Sequence, residues 1–195
     1  MSRTPGFQAA AAKELESWKG FRAYIRVKRV GGEKIIGSRM VYSWKGEREK
    51  ARLCAQGFSD VEGKLLDSSA PTCRKDTWRL VCAVCARLGW DPQSIDIKTA
   101  FLQGKEMERD VFLEPPKEAN EVPGWLWKLL RPVYGLVDSP ERWYLRVVEI
   151  LVGVLKGTQS KFDKGLFYWK NAHGALIGIM SIHVDDFYFG GGGCI

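Results

Sequence analysis

The chain has 195 residues, of which 45% are hydrophobic and 12% aromatic, and its formal net charge is +7 at pH 7. This composition excludes a disordered chain, and the length predicts one domain or two small lobes with a buried core. No run approaches the roughly 18 apolar residues of a membrane span, and residues 1–6 lack the apolar core of a secretory signal. We therefore predict an intracellular protein, cytoplasmic or nuclear, that is not secreted and binds no membrane.

The charge is distributed unevenly along the chain. Residues 1–90 carry 18 Lys and Arg against 9 Asp and Glu, whereas residues 91–195 carry 12 against 14. A basic segment of this kind favours contact with a polyanion such as nucleic acid, although excess Lys and Arg also occur on ordinary solubilising surfaces.

Five cysteines are present, an odd number without the spacing of a disulfide framework: Cys54, Cys73, Cys82, Cys85 and Cys194. Cys82 and Cys85 have the spacing of half a zinc site, but no second pair follows. Both lie in a helical pattern, which predicts buried free thiols and a reducing compartment.

In the N-terminal half, residues 8–19 are rich in Ala and Glu and predict a short helix. Residues 34–57 predict a β-hairpin with its turn at residues 45–47. A period of two places Lys50, Arg52 and Gln56 on one face of the returning strand. Residues 58–72 predict a loop.

The middle of the chain predicts a helix over residues 75–88, ended by Gly89. Residues 90–97 predict the strand that carries Asp96, and residues 111–113 and 126–130 predict further short strands or turn segments. Ser139 is predicted as the N-cap of a second helix, with Pro140 at its first position.

Residues 166–169 and 176–184 predict two strands, followed by a turn at Asp185 and Asp186. Residues 190–195 are Gly-rich and predict an irregular, truncated end rather than a packed strand.

Three carboxylates stand out because each lies in β-forming sequence, where a charge is costly unless it is paired or binds a cation. They are Asp96, Asp185 and Asp186. Carboxylates converging from two strands suit Mg²⁺, with substrate phosphates completing the coordination, and a pair of such ions supports phosphoryl transfer. The alternative is an ordinary turn, since Asp is a common turn residue.

Several blocks, taken in order and spacing, resemble the reverse transcriptase of copia-type LTR retrotransposons. The blocks are residues 50–58, 69–71, 95–104 and 133–144, Ser160 with Asp163, and Val184-Asp185-Asp186. Together they cover roughly residues 13–190.

The resemblance implies an α+β fold, a right-hand polymerase with fingers and a palm, in which an antiparallel palm sheet packs on helices and the thumb is missing. It implies a basic fingers-like lobe over residues 1–90 (helix, β-hairpin, helix), a palm-like lobe with the carboxylates over residues 91–190, and a truncated end over residues 190–195. The remaining thumb and RNase H portions of a polyprotein would be absent from this chain.

The resemblance also implies roles for the site residues. Asp96, Asp185 and Asp186 would be catalytic and would hold two Mg²⁺ ions, with Mn²⁺ as a substitute, for template-directed transfer from a deoxynucleoside triphosphate to a primer 3′-hydroxyl. Lys50, Arg52 and Phe101 would bind the nucleotide. The residues that would contact an RNA or DNA primer–template are Gly135, Ser139, Pro140 and His183.

Alternatives remain for these residues. Lys50 and Arg52 also fit two solvated charges, Phe101 fits a plain core residue, and Gly135, Ser139 and Pro140 fit a turn and helix cap. His183 stands where the family usually has Tyr. For the chain as a whole, the alternatives are a catalytically inactive nucleic-acid-binding remnant of a decayed element and, with less support, a metal-dependent nuclease.

Overall fold

The chain forms two units, and each unit is assembled from two separate segments. The computed structural model describes residues 4–66, 68 and 70–192. The first unit combines residues 1–68 with 101–142, and the second combines residues 69–100 with 143–195.

The described part of the chain contains three α-helices and eleven strands. The helices are α1 (Pro5–Gly20), α2 (Lys75–Leu88) and α3 (Ser139–Val148). A π-helical segment, Glu149–Val154, follows α3 directly, and short 3₁₀ turns occur at Gly57–Ser59, Gly63–Leu65, Ala100–Gln103 and Lys117–Ala119. The strands are β1 (Tyr24–Lys28), β2 (Ile35–Ile36), β3 (Ser38–Lys45), β4 (Arg48–Ala55), β5 (Gln93–Asp96), β6 (Phe112–Leu113), β7 (Trp125–Leu129), β8 (Thr158–Gln159), β9 (Leu166–Lys170), β10 (Leu176–His183) and β11 (Asp186–Gly191).

The first unit contains a four-stranded sheet in the order β1-β7-β6-β2, in which only the β2–β6 pair is parallel. Its core is aromatic at the centre. The rings of Tyr24 and Trp127 stack with centroids 3.8 Å apart, and Trp18 lies 6.1 Å from Trp127. Trp18 and Trp127 are buried, so α1 and the sheet share one hydrophobic core.

Of the hairpin predicted over residues 34–57, the part from Ser38 to Ala55 is confirmed as the two-stranded ribbon β3–β4, whose register runs from Ser38–Ala55 to Lys45–Arg48. Ile35 and Ile36 instead form β2, which pairs with β6. The turn consists of Gly46, with φ of +60°, and Glu47. On β4, Lys50 and Arg52 are exposed while Leu53 is buried. The period-two pattern therefore predicted the two faces correctly.

The second unit contains an antiparallel five-stranded sheet in the order β5-β11-β10-β9-β8. Helix α2 packs on this sheet through Val81 and Cys85, which contact Leu166 and Ile179 in one buried cluster. The helix has the predicted bounds and ends at Gly89, whose φ of +67° is the left-handed conformation that glycine favours.

The division into units differs from the predicted lobes of residues 1–90 and 91–190. Helix α2 belongs to the unit that carries the carboxylates, because its apolar stripe packs on that sheet. Residues 101–142 belong with the N-terminal segment, because β6 and β7 pair with β2 and β1. These long-range pairings are not visible in local charge or periodicity.

The prediction of an irregular end from residue 190 is wrong for Gly190 and Gly191. Both continue β11 and pair with Ile179 and Gly178 of β10. A Cβ added at Gly190 would lie 2.5 Å from the Cys85 sulfur. Glycine is present because the strand passes close under α2, and residues 193–195 lie outside the described residues.

Ser139 does not cap α3 as predicted. It is the first residue of the helix, it is buried, and its hydroxyl donates a hydrogen bond to the Val133 carbonyl at 2.6 Å. Asp138 occupies the preceding position, and its backbone carbonyl accepts from the Arg142 amide. Tertiary partners override the local capping preference.

Cys54, Cys73, Cys82 and Cys85 are free thiols, and Cys85 is buried while Cys82 is half-buried. Cys194 lies outside the described residues. Burial raises the pKa of the Cys85 thiol, so this group is a packing residue with little thiolate character. None of the helices in the described part of the chain is long and apolar enough to cross a membrane.

Asp163 holds the start of α2 from a distant segment. Its carboxylate accepts hydrogen bonds from the Arg74 amide at 2.9 Å, the Gly165 amide at 2.8 Å and the Thr77 hydroxyl. Burial raises the pKa of the Asp163 carboxyl, but these hydrogen bonds outweigh burial and hold that pKa below its usual value.

We expect Asp163→Ala to lower the free energy of unfolding by about 1–3 kcal/mol, because it removes a cap and leaves buried donors unsatisfied. Because the pKa of Asp163 is lower in the folded protein than in the unfolded chain, its ionised carboxylate stabilises the fold above about pH 4, the pKa of an Asp in an unfolded chain. This stabilisation is lost as the pH falls through the pKa of the folded state. Denaturant unfolding at pH 7 and at pH 3 measures both effects, and the variant should lose less stability on acidification.

Asp76→Ala is the matched control, because Asp76 lies in the first turn of the same helix with its side chain 91% exposed. Its substitution should change stability by less than about 0.5 kcal/mol. Equal effects of the two substitutions would contradict the capping role of Asp163.

Candidate active site

Asp186 and Asp96 are direct partners across neighbouring strands of the second unit. Asp186 begins β11, Asp96 ends β5, and the antiparallel register places them opposite each other. The Ile97 amide donates a hydrogen bond to the Asp185 carbonyl at 2.8 Å. Ile97 and Asp185, the pair next to Asp96 and Asp186, are therefore a hydrogen-bonded pair. Bonded and non-bonded pairs alternate, so Asp96 and Asp186 form a non-bonded pair, for which a Cα separation of roughly 4.5 Å is typical.

His183 extends this row on the other side. It is the last residue of β10 and pairs with Asp186 across the β10–β11 hairpin. Directly opposed residues share a face of a sheet, so His183, Asp186 and Asp96 lie side by side on one face. All three are exposed, and Asp185 is half-buried.

The turn between β10 and β11 consists of Val184 and Asp185, not of Asp185 and Asp186 as predicted. Val184 has a φ of +56°, and Thr99, three residues after Asp96, has a φ of +54°. Positive φ is a genuine outlier for β-branched residues. Strained backbone of this kind clusters at functional sites, where the surrounding structure holds it in place.

The carboxylates supply the right donor chemistry for a hard divalent cation, but they do not form a complete cage. Among the described residues, no group of three His, Cys, Asp or Glu side chains is placed to hold a metal ion. Asp185 lies in the β10–β11 turn, whereas Asp186 begins β11 and faces Asp96 in the strand register. Mg²⁺ needs only one or two carboxylates when substrate phosphates complete its shell, and the facing pair Asp96 and Asp186 fits that mode.

A second cluster, in the first unit, brings together two of the predicted nucleotide-binding residues. The Arg52 guanidinium lies 4.1 Å from the centroid of the Tyr134 ring, and the Phe101 ring lies 4.7 Å from the same ring. Lys50 is two residues before Arg52 on the same exposed face of β4. Tyr134 was not predicted as a site residue, although it lies inside one of the matching sequence blocks.

Gly135 fixes the position of this aromatic ring. Its φ is +94°, and a Cβ there would clash with the Ala55 carbonyl. The Ala55 amide donates to the Tyr134 carbonyl at 2.7 Å, so the end of β4 packs directly on the Tyr134–Gly135 turn. A Cβ at Gly57 would likewise clash with the Gly135 carbonyl. The two glycines allow the backbone contact that places Tyr134 under Arg52.

Ser139 and Pro140, predicted to contact the template, open α3 in the segment that follows this turn. Ser139 is buried with its hydroxyl bonded to the backbone, and Pro140 is half-buried. Ser139 therefore stabilises the segment before α3 through its hydrogen bond to the Val133 carbonyl.

The first unit also contains a buried ionic network that the sequence did not predict. Arg109 donates to Asp60 at 2.6 Å and to Asp138 at 3.1 Å, and Arg142 donates to Asp138 at 3.1 Å. Burial opposes ionisation of Asp138, but the hydrogen bonds and charge of Arg109 outweigh it and lower the pKa of this carboxyl. Arg109 is far in sequence from Asp60 and Asp138, so the pairing leaves no local pattern. The sequence shows only that Asp138 precedes the start of a predicted helix.

Comparison with known proteins identifies the family. Residues 21–194 match the family described as reverse transcriptase (RNA-dependent DNA polymerase). The chain belongs to this family.

Individual relatives point the same way. The chain is 30% identical over 187 residues to the retrovirus-related Pol polyprotein from transposon TNT 1-94 of Nicotiana tabacum, covering 91% of the chain. It is 29% identical over 161 residues to the Pol polyprotein from transposon RE1 of Arabidopsis thaliana, covering 78% of the chain. The matched region spans only 14% and 11% of those two proteins.

Among solved structures, a foamy viral protease-reverse transcriptase in complex with double-stranded DNA aligns over 96% of this chain and 26% of its own, with 13% identity and a TM-score of 0.46. By family, the chain is a reverse transcriptase domain, that is, an RNA-directed DNA polymerase domain. Its α+β architecture agrees with the fold predicted from the sequence.

Proposed function

We propose that this chain provides fingers and palm portions of a retrotransposon reverse transcriptase, which transfers a nucleotide from a deoxynucleoside triphosphate to a primer 3′-hydroxyl. The observation that carries the proposal is the direct pairing of Asp96 with Asp186, beside the Asp185 turn. Two carboxylates from distant parts of the sequence meet at one edge of the sheet, where an exposed pair of like charges has no structural use.

Asp96 and Asp186 would hold Mg²⁺, or Mn²⁺ in its place, with Asp185 contributing from the turn. When bound, a pair of such ions would activate the primer hydroxyl and neutralise the charge of the triphosphate. The protein's own contribution is to hold the carboxylates in place, through the β5–β11 ladder and the Trp143 indole. That indole donates a hydrogen bond to the Val184 carbonyl at 2.7 Å and fixes the turn.

Arg52 and Lys50 would bind the triphosphate. The Tyr134 ring holds the Arg52 guanidinium in one orientation, which reduces the conformational entropy that a long side chain loses on binding. A planar guanidinium suits phosphate recognition. Phe101 packs against the same ring and would shape the site for the sugar, while Gly135 keeps the backbone clear for the base pair.

His183 would lie beside the primer end, because it is the neighbour of Asp186 on β10. The primer–template and the deoxynucleoside triphosphate are thus the proposed partners. The alternative of an inactive remnant is not favoured, since the three acids are retained and the fold brings two of them face to face.

The test is incorporation of labelled dTTP on oligo(dT)-primed poly(rA) with Mg²⁺, by the wild-type chain and by Asp185→Asn. We expect Mg²⁺-dependent incorporation that EDTA stops and that the substitution removes. In parallel, Fe²⁺ in place of Mg²⁺, with added hydrogen peroxide and ascorbate, should generate hydroxyl radicals that cleave the wild-type backbone near residues 96 and 185, and much less in the variant. Incorporation that is unchanged by Asp185→Asn would overturn the proposal, and so would the absence of both incorporation and local cleavage.

A further inference from the structure

Two thiols lie about one turn apart on α2, and the proposed reaction uses neither of them. Cys82 and Cys85 are free; Cys85 is buried and Cys82 is half-buried. Residues three apart on an α-helix are neighbours on its surface, with Cβ atoms about 5–6 Å apart. Burial and, after it, the nearby Cys82 thiol raise the pKa of the Cys85 thiol. The two thiols therefore lie side by side.

Both thiols contact β11. A Cβ at Gly190 would lie 2.5 Å from the Cys85 sulfur, so the strand passes directly against that sulfur. The Tyr188 hydroxyl is hydrogen-bonded to the Cys82 thiol, which raises the pKa of Tyr188. The Tyr188 ring also packs on Trp78 of α2, with centroids 5.5 Å apart. Each thiol thus holds one residue of the strand against the helix.

The face of β11 that contacts the thiols also carries a carboxylate of the candidate active site. Asp186, Tyr188 and Gly190 alternate along a strand whose register with β10 is continuous, so they share one face. Asp186 begins this strand opposite Asp96. A change in the contacts of Tyr188 and Gly190 with α2 therefore acts on the strand that positions Asp186.

The spacing of the thiols permits a disulfide only if the helix changes locally. A disulfide needs Cβ atoms about 3.5–4.5 Å apart, which is closer than residues three apart come in an α-helix. In a 3₁₀-helix, by contrast, residues three apart are eclipsed, and 3₁₀ turns are frequent at helix ends. Helix α2 ends at Leu88, three residues after Cys85. Tightening of its last turns would bring the two sulfurs within bonding distance.

We propose that Cys82 and Cys85 are a redox modification site, in which a hydroperoxide converts the two thiols to a disulfide and loosens the contact of α2 with β11. Transient disulfides of this kind occur in reducing compartments. The bridge would be strained by the helix, and strained disulfides are readily reduced by thiols. The modification is therefore reversible.

The reaction balances with hydrogen peroxide as the oxidant. The more accessible Cys82 attacks a peroxide oxygen as the thiolate, the O–O bond breaks, and the leaving hydroxide takes up a proton to become water. The Cys85 sulfur then attacks the Cys82 sulfenic acid, and the hydroxyl leaves as water with the Cys85 proton. The two thiols lose two electrons, which reduce one peroxide to two waters.

The disulfide can be mapped by mass spectrometry. Trypsin cleaves after Arg79 and Arg87, so Cys82 and Cys85 fall in one peptide, residues 80–87, that contains no other cysteine. After hydrogen peroxide, iodoacetamide and digestion, we expect this peptide to be unalkylated and to lack two hydrogens. Dithiothreitol before iodoacetamide should restore two alkylated thiols. A peptide that remains alkylated, or that carries sulfinic acid in place of the bridge, would overturn the proposal.

Thermal unfolding tests the effect of the bridge on the fold. We expect peroxide to lower the unfolding midpoint of the wild type by about 3 °C or more, since contacts of α2 with β11 are lost. Cys82→Ser keeps a hydroxyl beside Tyr188 and should show no such shift. Cys54→Ser is the matched control, because Cys54 lies in the other unit, and it should respond as the wild type does. An equal shift in Cys82→Ser would overturn the proposal.

The effect on Asp186 rests on the proposed function. Oxidation should lower nucleotide incorporation by the wild type about tenfold or more, because catalysis depends on exact positioning, and should leave Cys82→Ser unaffected. Unchanged incorporation by the oxidised wild type would overturn the link to Asp186. Mapping and unfolding need no metal or nucleotide, so a disulfide in a chain that incorporates nothing when reduced would overturn the polymerase proposal alone.

Discussion

Replacing Arg109 with alanine is expected to lower the free energy of unfolding by about 3–5 kcal/mol, the cost of removing one partner from a buried ion pair. Arg109 is only 14% exposed, and its partners Asp60 and Asp138 are 6% and 2% exposed. Without Arg109, the Asp60 carboxylate keeps, among the described residues, the hydrogen bond from the Gly63 amide at 3.0 Å. Asp138 keeps Arg142, so the uncompensated charge falls mainly on Asp60.

Urea unfolding followed by tryptophan fluorescence measures this effect. Arg79→Ala is the control, because Arg79 forms an exposed pair with Asp76 on α2 and such pairs contribute little. The double variant Asp60→Asn/Arg109→Ala should be more stable than the sum of the single effects predicts, since it removes the unpaired charge as well. A loss below about 1 kcal/mol for Arg109→Ala would contradict the stabilising role of the buried ion pairs with Asp60 and Asp138.

Replacing Asp96 with asparagine is expected to change activity and stability in opposite directions. Incorporation should fall at least about a hundredfold, because a charged group that stabilises the transition state is removed. In EDTA, the free energy of unfolding should rise by a few tenths of a kcal/mol, since Asp96 and Asp186 are like charges directly opposite each other. This trade of stability for function is typical of active sites.

The stability gain should shrink at 1 M salt, where the Debye length is about 3 Å. Asp91→Asn is the control for charge, because Asp91 is exposed and lies outside the paired strands. Thermal unfolding with and without EDTA measures the gain, and primer extension measures the loss. A variant that is both inactive and less stable than the wild type in EDTA would contradict the electrostatic reading of the pair.

The local elements and the candidate residues of the site could be predicted from the amino-acid sequence alone. Helix α2 was predicted with its observed bounds, because its apolar stripe and Gly89 are both local signals. The hairpin and its exposed basic face followed from period two. Asp96 and the Asp185–Asp186 pair were recognisable because a carboxylate in β-forming sequence is costly without a cation.

The sequence did not show which of these elements come together, and the fold supplies that information. It assigned α2 to the carboxylate unit, extended β11 through Gly190 and Gly191, and buried Ser139 against the Val133 carbonyl. It also placed Tyr134 between Arg52 and Phe101 and linked Arg109 to Asp60 and Asp138. Each of these depends on contacts between residues far apart in the chain, and such contacts leave no periodic pattern in either partner alone.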